Sequence, residues 1–286
     1  MGQIQISIAM PSFNQVEFIE SAIESVFQQN YDPVELIVAD GGSTDGTVEV
    51  LQRLSESNAK IIWDSTPDAG PAAAIVRAFS RARGQLIGWL NSDDVYANGT
   101  FDAVVDAFRR EQDWIMCYGH GEHIDEAGNS LGRYPTLRPE RGLAAFENGC
   151  YICQPTMFMK ATAIQLLGPL DAGLKTAFDY DYWMRAFKAF PGRIGFLDQV
   201  LAYSRLHQNC ITVRMRETVA LEGLKLGRRH LQQASVHWAV TYLEELRRTF
   251  DVESEEFRVA AKAFLAQANE FLEARDAQTL RMTLGA

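Results

Sequence analysis

The sequence predicts an α/β fold: a mixed, mostly parallel sheet flanked by helices, with an all-helical extension at the C-terminus. Three observations lead there. Through the first 110 residues short apolar strands alternate with amphipathic helices. Polar, carboxylate-bearing loops follow several of those strands, and beyond residue 213 the strand signal stops.

Ile4 to Met10 is rich in β-branched residues and ends at Pro11, which reads as a strand stopping at a loop. Asn14 then reads as a helix cap, because Val16, Ile19, Ile23, Val26 and Phe27 recur at helical spacing until Tyr31-Asp32-Pro33. The alternation continues with strands at Glu35 to Ala39, Ile61 to Trp63 and Leu86 to Leu90, and helices at Thr47 to Leu54, Ala72 to Arg83 and Thr100 to Arg110. Such sheets bind ligands beyond the carboxyl ends of their strands, so chemistry is expected in the loops after Met10, Ala39 and Leu90.

From about residue 113 the rhythm changes to α+β: a strand at Trp114 to Tyr118, a turn at Asp125 to Asn129, loop-rich sequence to Gly149, and a helix at Ala161 to Leu167. Apolar stripes through Val236, Ala239, Val240, Leu243, Leu246 and Phe250, and through Phe257, Ala261, Phe264, Ala268 and Phe271, predict two or three C-terminal helices. Three segments follow: 1–110, 111–212 and 213–286.

Of the 286 residues 47% are hydrophobic and 22% charged, which excludes a disordered chain and a disulfide-stapled miniprotein. Against 27 Lys and Arg stand 37 Asp and Glu, a net charge of -10, so nucleic acid is excluded as a partner that depends on broad phosphate neutralisation. A polyanionic ligand must instead be met by a few local basic groups or by a metal. The stretch ahead of Pro11 has no signal- or transit-peptide character, and the most apolar long window, Cys150 to Leu170, is broken by Gln154, Pro155 and Lys160. A cytoplasmic protein is expected. Cys150 and Cys153 form a Cys-x-x-Cys pair with no second pair at zinc spacing, so the four cysteines are expected to be reduced structural thiols.

Four motifs could carry chemistry. Asp40-Gly41-Gly42-Ser43-Thr44-Asp45-Gly46-Thr47 follows a strand; its carboxylate could accept hydrogen bonds from a ring imide or a ribose, or the loop could be a turn capping the next helix. Asn91-Ser92-Asp93-Asp94 sets two adjacent carboxylates at a buried strand's end, where a hard cation such as Mg2+ or Mn2+ would relieve their repulsion. Asp179-Tyr180-Asp181 opens a helix as either a general base or a cap favoured by the helix dipole. His207 is a ligand or a structural histidine, and Arg77 and Arg205 are phosphate contacts or solvated charges.

Taken together, Pro11-Ser12-Phe13-Asn14, Asp40 with its Gly-Gly-Ser-Thr-Asp-Gly-Thr, Asp68-Ala69-Gly70, the strand into Asn91-Ser92-Asp93-Asp94, and Asp179-Tyr180-Asp181-Tyr182-Trp183 resemble family 2 glycosyltransferases of the Rossmann-like GT-A fold over residues 4 to 212. The resemblance implies inverting transfer of a sugar from a nucleotide diphosphate sugar, UDP-sugars being the default donors, to a hydroxyl of a carbohydrate or lipid-linked saccharide in bacterial surface or extracellular polysaccharide synthesis. It implies that Asp40 meets the nucleoside base in a pocket lined by Pro11 and Phe13. Asn14, Gly42, Ser43, Asp68, Arg77, Asn91 and Ser92 complete the donor site. The resemblance further implies a divalent Mn2+ or Mg2+ on Asp93 and His207, with Asp179 as the base. Asn91 stands where the family has the first Asp of Asp-x-Asp, Phe178 where it has a Glu, and Gly41 where it often has a second Asp.

Two rivals remain. A nucleotide-sugar-binding partner subunit would keep Asp40 and Asp93 but could dispense with Asp179. A sugar-phosphate nucleotidyltransferase would want a basic, glycine-rich loop near the N-terminus, whereas Pro11 to Glu20 holds no basic residue. The C-terminal stripes need a partner surface: the catalytic domain, a second copy in a homodimer, or a membrane met peripherally at its inner face.

Overall fold

The computed structural model describes residues 2–284. Its centre is one nine-stranded mixed sheet. Strands β1 (Ile6–Ser12), β2 (Val34–Asp40), β3 (Ile61–Ser65) and β4 (Leu86–Trp89) are all parallel, in the order β3-β2-β1-β4. Helices α1 (Ile19–Phe27), α2 (Thr47–Ser57) and α3 (Pro71–Arg81) make the crossovers, and α4 (Thr100–Arg110) packs beside them. β1 and β2 are buried along their whole length, as expected of strands covered on both faces. Because the three central strands run the same way, Ser12, Asp40 and Leu90 end at one edge of the sheet, and that edge is where the site lies.

The rest of the sheet is β5 (Val95–Tyr96), β6 (Met116–Ile124), β7 (Ser130–Arg133), β8 (Phe158–Lys160) and β9 (Ile194–Arg205). β8 runs antiparallel to both β4 and β6 and joins the two halves, while β6 and β9 pair in parallel over their length. The strand expected at Trp114 to Tyr118 thus starts later and runs on to Ile124. Gly119 and Gly121 mask it in the sequence, yet both are there for close packing. A Cβ on Gly121 would lie 2.3 Å from Cys153 Sγ, and one on Gly119 would lie 2.7 Å from Leu201 Cδ1.

Asn14 does not cap α1. It sits at φ 52, outside the extended backbone a cap residue needs, and α1 begins only at Ile19. Helix α3 opens as its sequence suggests, with Pro71 in its first turn and Gly70 at φ 120 before it.

After α5 (Ala161–Leu167) and α6 (Phe178–Ala189), the described residues close with a short α7 (Ile211–Arg214) and four longer helices, more than the two or three expected: α8 (Arg216–Leu231), α9 (Val236–Thr249), α10 (Glu255–Ala268) and α11 (Ala274–Leu284). Ser235 and Ser254 cap α9 and α10. The two stripes face each other: Ala239, Leu243 and Leu246 share a core with Phe257, Ala261, Phe264 and Ala268. Helix α8 has two buried faces, with Ala220 and Leu224 in that core and Leu226 in the core that holds Trp89, Trp183 and Met184. Among the described residues no helix is long and apolar enough to cross a membrane.

The Gly121 contact makes a test. Gly121→Ala should destabilise the protein by about 1–3 kcal/mol, because Cys153 is buried in the turn facing Gly121 and β6 cannot retreat without breaking its ladder with β9. Urea unfolding with an unchanged midpoint would contradict this packing.

Candidate functional site

At the end of β2, Asp40 is fully buried and its carboxylate is saturated by the loop it opens. It accepts from the amides of Gly42 at 3.0 Å and Ser43 at 2.8 Å, from Ser43 Oγ at 2.5 Å and from Ser65 Oγ at 2.6 Å. Gly42 holds φ 88, which lets its amide turn back on Asp40. Ser43 Oγ also accepts from Asn14 N–H at 2.7 Å, and Asn14 Oδ1 accepts from Thr44 N–H at 3.0 Å. Asp40, Ser43 and Asn14 therefore hold the β1–α1 and β2–α2 loops together.

The exposed surface beside this loop is that of Phe13. Phe13 presents 60% of its area to solvent beside the buried end of β1, and across from it stands the largely buried Asp68, whose Oδ1 accepts from Gly70 N–H at 2.9 Å. Gly41 is the floor between them: a Cβ there would lie 3.3 Å from the Phe13 ring and 3.4 Å from Asp68 Oδ1. An exposed aromatic face beside a carboxylate suits a planar, hydrogen-bond-donating ring. Pro11 lies buried in β1 beneath it. Arg77 is not a solvated charge. It donates to the Asp40 carbonyl at 2.7 Å and pairs with Asp64 at 3.0 Å and Asp68 at 3.4 Å.

Asp93 and His207, 114 residues apart, meet with Oδ2 and Nε2 3.0 Å apart. The histidine is buried and rests on Phe18, ring centroids 4.9 Å apart, while the Arg205 guanidinium covers the same ring at 5.0 Å. Arg205 is spent on structure: it donates to the carbonyls of Asp93, Asp125 and Glu126, each at 2.9 Å. Asp94, the second carboxylate, is buried, accepts from Arg205 N–H at 2.8 Å, and has its carboxyl pushed well above the usual range by burial and by the charge of Asp93. Asn91 accepts from the Trp89 indole at 3.0 Å and leans on Asp94, and Ser92 is buried in the turn. His207 lines an open cavity of about 530 Å3 with Asp125, Glu126 and Gln208.

A partly exposed carboxylate facing one buried imidazole nitrogen offers ligand chemistry for a divalent cation that takes its other ligands from phosphate and water. Among the described residues no cluster of three or more His, Cys, Asp or Glu side chains is placed to hold a metal alone.

Asp179 lies in the first turn of α6. Burial lifts its carboxyl to about 6, and the charge of Glu222 adds to the lift. The half-buried Cys150 and buried Cys153 lie near enough to feel its charge; both are free thiols raised by burial, as expected of reduced structural cysteines. Asp181 differs: burial alone would raise it, but His230 at 2.7 Å, with Arg185 and Arg229, holds it below the usual range. It is a buried ion-paired group tying α6 to α8. Phe178 stacks on Trp89 at 5.8 Å, so the residue before Asp179 is fastened to the strand that leads into Asp93. Sequence reasoning missed Ser65, Phe18, Trp89 and Glu222; the signal for Glu222 was a charged residue among Ala220, Leu221, Gly223 and Leu224.

The model of glycosyl transferase family 2 matches residues 7–167, a span that includes Asp40 and Asp93 and stops short of Asp179 and His207. An uncharacterized glycosyltransferase of Rickettsia conorii is 28% identical over 84% of this chain, and the chain spans 38% of that protein's length. Among solved structures, S. aureus TarS 1-349 in complex with UDP superposes with a TM-score of 0.66 at 19% identity, covering 96% of this chain and 82% of that one. A mannosyltransferase of Pyrobaculum calidifontis, in complex with GDP-Man and Mn2+, gives 0.60 at 14% identity, covering 99% and 80%.

The raised Asp179 carboxyl makes stability depend on pH. A carboxyl near 6 in the folded chain against roughly 4 unfolded binds its proton more tightly when folded, so its contribution is present below about pH 4 and lost as pH rises through 6. Asp179→Asn should therefore raise the melting temperature at pH 7.5, by on the order of 1–3 kcal/mol of stability, and the gain should vanish near pH 4. Thermal scans with equal gains at both pH values would contradict this.

Proposed function

The chain belongs to glycosyl transferase family 2 and has the family's GT-A fold, and from that premise we propose that it moves a sugar from a nucleotide diphosphate sugar to an acceptor hydroxyl with inversion at the anomeric carbon. The observation that carries the reading is the pairing of two unlike carboxyl sites across one strand. Asp93 is joined to His207, while Asp179, half-buried at the start of α6, is raised to about 6 and fastened to the Asp93 strand through Phe178 and Trp89.

In this reading the nucleobase lies along Phe13 and donates a ring N–H to Asp68 over Gly41, while Asp40, Ser43 and Asn14 hold the loops that shape the slot. The diphosphate lies toward Asp93 and His207. Arg77 and Arg205 are already committed to carboxylates and carbonyls, so they leave little positive charge for it. A Mn2+ or Mg2+ held by Asp93 and His207 would supply that charge when bound, as a Lewis acid for the leaving group. Asp179 takes the acceptor's proton as the acceptor oxygen bonds to the anomeric carbon. The carbon–oxygen bond to the diphosphate breaks on the opposite side, and its electron pair leaves with the nucleotide. UDP-sugars are the donors to try first, and a carbohydrate or lipid-linked saccharide the acceptor.

Two measurements test this. Calorimetry should find UDP binding about 10–100-fold tighter in Mn2+ than in EDTA, with Asp93→Ala removing the difference; equal affinity in the parent protein would overturn the metal assignment. Asp179→Asn should keep donor affinity and lower turnover by roughly 10²–10⁴, since the amide retains the shape but cannot take a proton. The rate should fall as pH drops below about 6 in the parent enzyme. If Asp181→Asn rather than Asp179→Asn stops transfer, the base is the other carboxylate.

A further inference from the structure

Helix α6 has no side chain of its own at its N-terminal cap. The amides leading into it are met instead from α8, by a single buried carboxylate. Glu222 accepts from Lys175 N–H at 2.7 Å, from Thr176 N–H at 2.9 Å, from Thr176 Oγ1 at 2.7 Å and from Ala177 N–H at 2.9 Å. Four donors on one carboxylate leave the turn 175–177 no freedom to move, and Asp179 is two residues further on. The neighbouring Gly223 lets α8 come close: a Cβ there would lie 2.4 Å from the Trp238 ring, and Trp238 in turn packs on Tyr180 at 5.4 Å.

Resting on the reading of Asp179 as the base, we propose that Glu222 is a positioning residue of the active site, reaching from the C-terminal helices to fix the turn that delivers Asp179. A cap from the helix itself would have served stability equally well. What Glu222 adds is charge. The N-terminus of a helix favours an ionised carboxylate in its first turn, which would make Asp179 a weaker base. A second carboxylate seated on the amides just ahead opposes that field at the place where Asp179 stands and accepts from Tyr180 N–H at 2.7 Å. The other titratable groups facing Asp179 are Cys150, Cys153 and Tyr134, all raised by burial and neutral near pH 7, so the neighbouring charge it responds to is that of Glu222.

The test reads Asp179 directly. In full-length protein labelled with 13Cγ-aspartate, the Asp179 signal is the one lost in Asp179→Asn, and it should titrate near 6 in the parent. Glu222→Gln should lower that midpoint by roughly half a unit to one unit. It should also reduce turnover by up to about 10²-fold, read as nucleoside diphosphate release from UDP- and GDP-sugars, with donor affinity unchanged. Glu222→Asp keeps the charge but draws the carboxylate back by one methylene; it should leave the midpoint raised and still lose turnover, and it decides the matter if Glu222→Gln does not fold. Variants that lose only thermal stability, with midpoint and turnover at parental values, would overturn the proposal. Full turnover in Asp179→Asn would instead refute the base assignment, and the titration would still report whether Glu222 governs that carboxyl.

Discussion

Carboxylates crowd the edge where β2, β3 and β4 end, and the site depends on how each is matched. Asp40, Asp64, Asp68, Asp93 and Asp94 converge there in a chain whose net charge is already -10. Like charges at such spacing are tolerated only when donors are built in beside them. Asp40 is met by backbone amides and two hydroxyls, Asp64 and Asp68 by Arg77, Asp94 by the amide of Arg205, and Asp93 by His207. The loops take their shape from these pairings, so the form of this edge follows from neutralising its carboxylates.

That same accounting decides what the edge can bind. Arg77 and Arg205 look like phosphate ligands in the sequence, yet each is already engaged by acidic or carbonyl oxygens. A diphosphate brought to this edge would find few uncommitted cationic groups, and in the proposed reading a cation held at Asp93 and His207 would supply the missing charge. Asp93 and Asp94 divide the work: the buried Asp94 is raised and tied to the backbone of β9, while Asp93 is the more exposed of the two.

Much of this was legible in the sequence for a physical reason. A parallel sheet turns its loops at strand ends, so the Asp40 loop and Asn91 to Asp94 could be placed from hydrophobic alternation and the residues that interrupt it, and Asp179 as the acidic start of a helix. His207 was visible only as a lone histidine, because its partner is 114 residues away. What stayed hidden was set by contacts between distant segments. β6 was cut short by Gly119 and Gly121, whose missing side chains are required by Leu201 and Cys153 rather than by local conformation. β9 alternates too weakly to stand out, and it is held by pairing with β6. Asn14 carried a cap's chemistry but uses it on the neighbouring loop.

Helix α8 shows why pattern and cooperative unit part company near residue 213. The change in the sequence there is real, since strands stop and helical stripes begin. Yet Leu226 is buried with Trp183, Leu224 with Phe264, and Glu222 and His230 each satisfy groups on α6. A chain ending before α8 would expose the apolar face of one core, leave three amides of the α6 entry unmet, and strand Asp181 as a buried carboxylate without its histidine, each a cost of the kind that unfolds marginal domains. The helical extension and the sheet edge are therefore one thermodynamic body, and the turn bearing Asp179 is where they are joined.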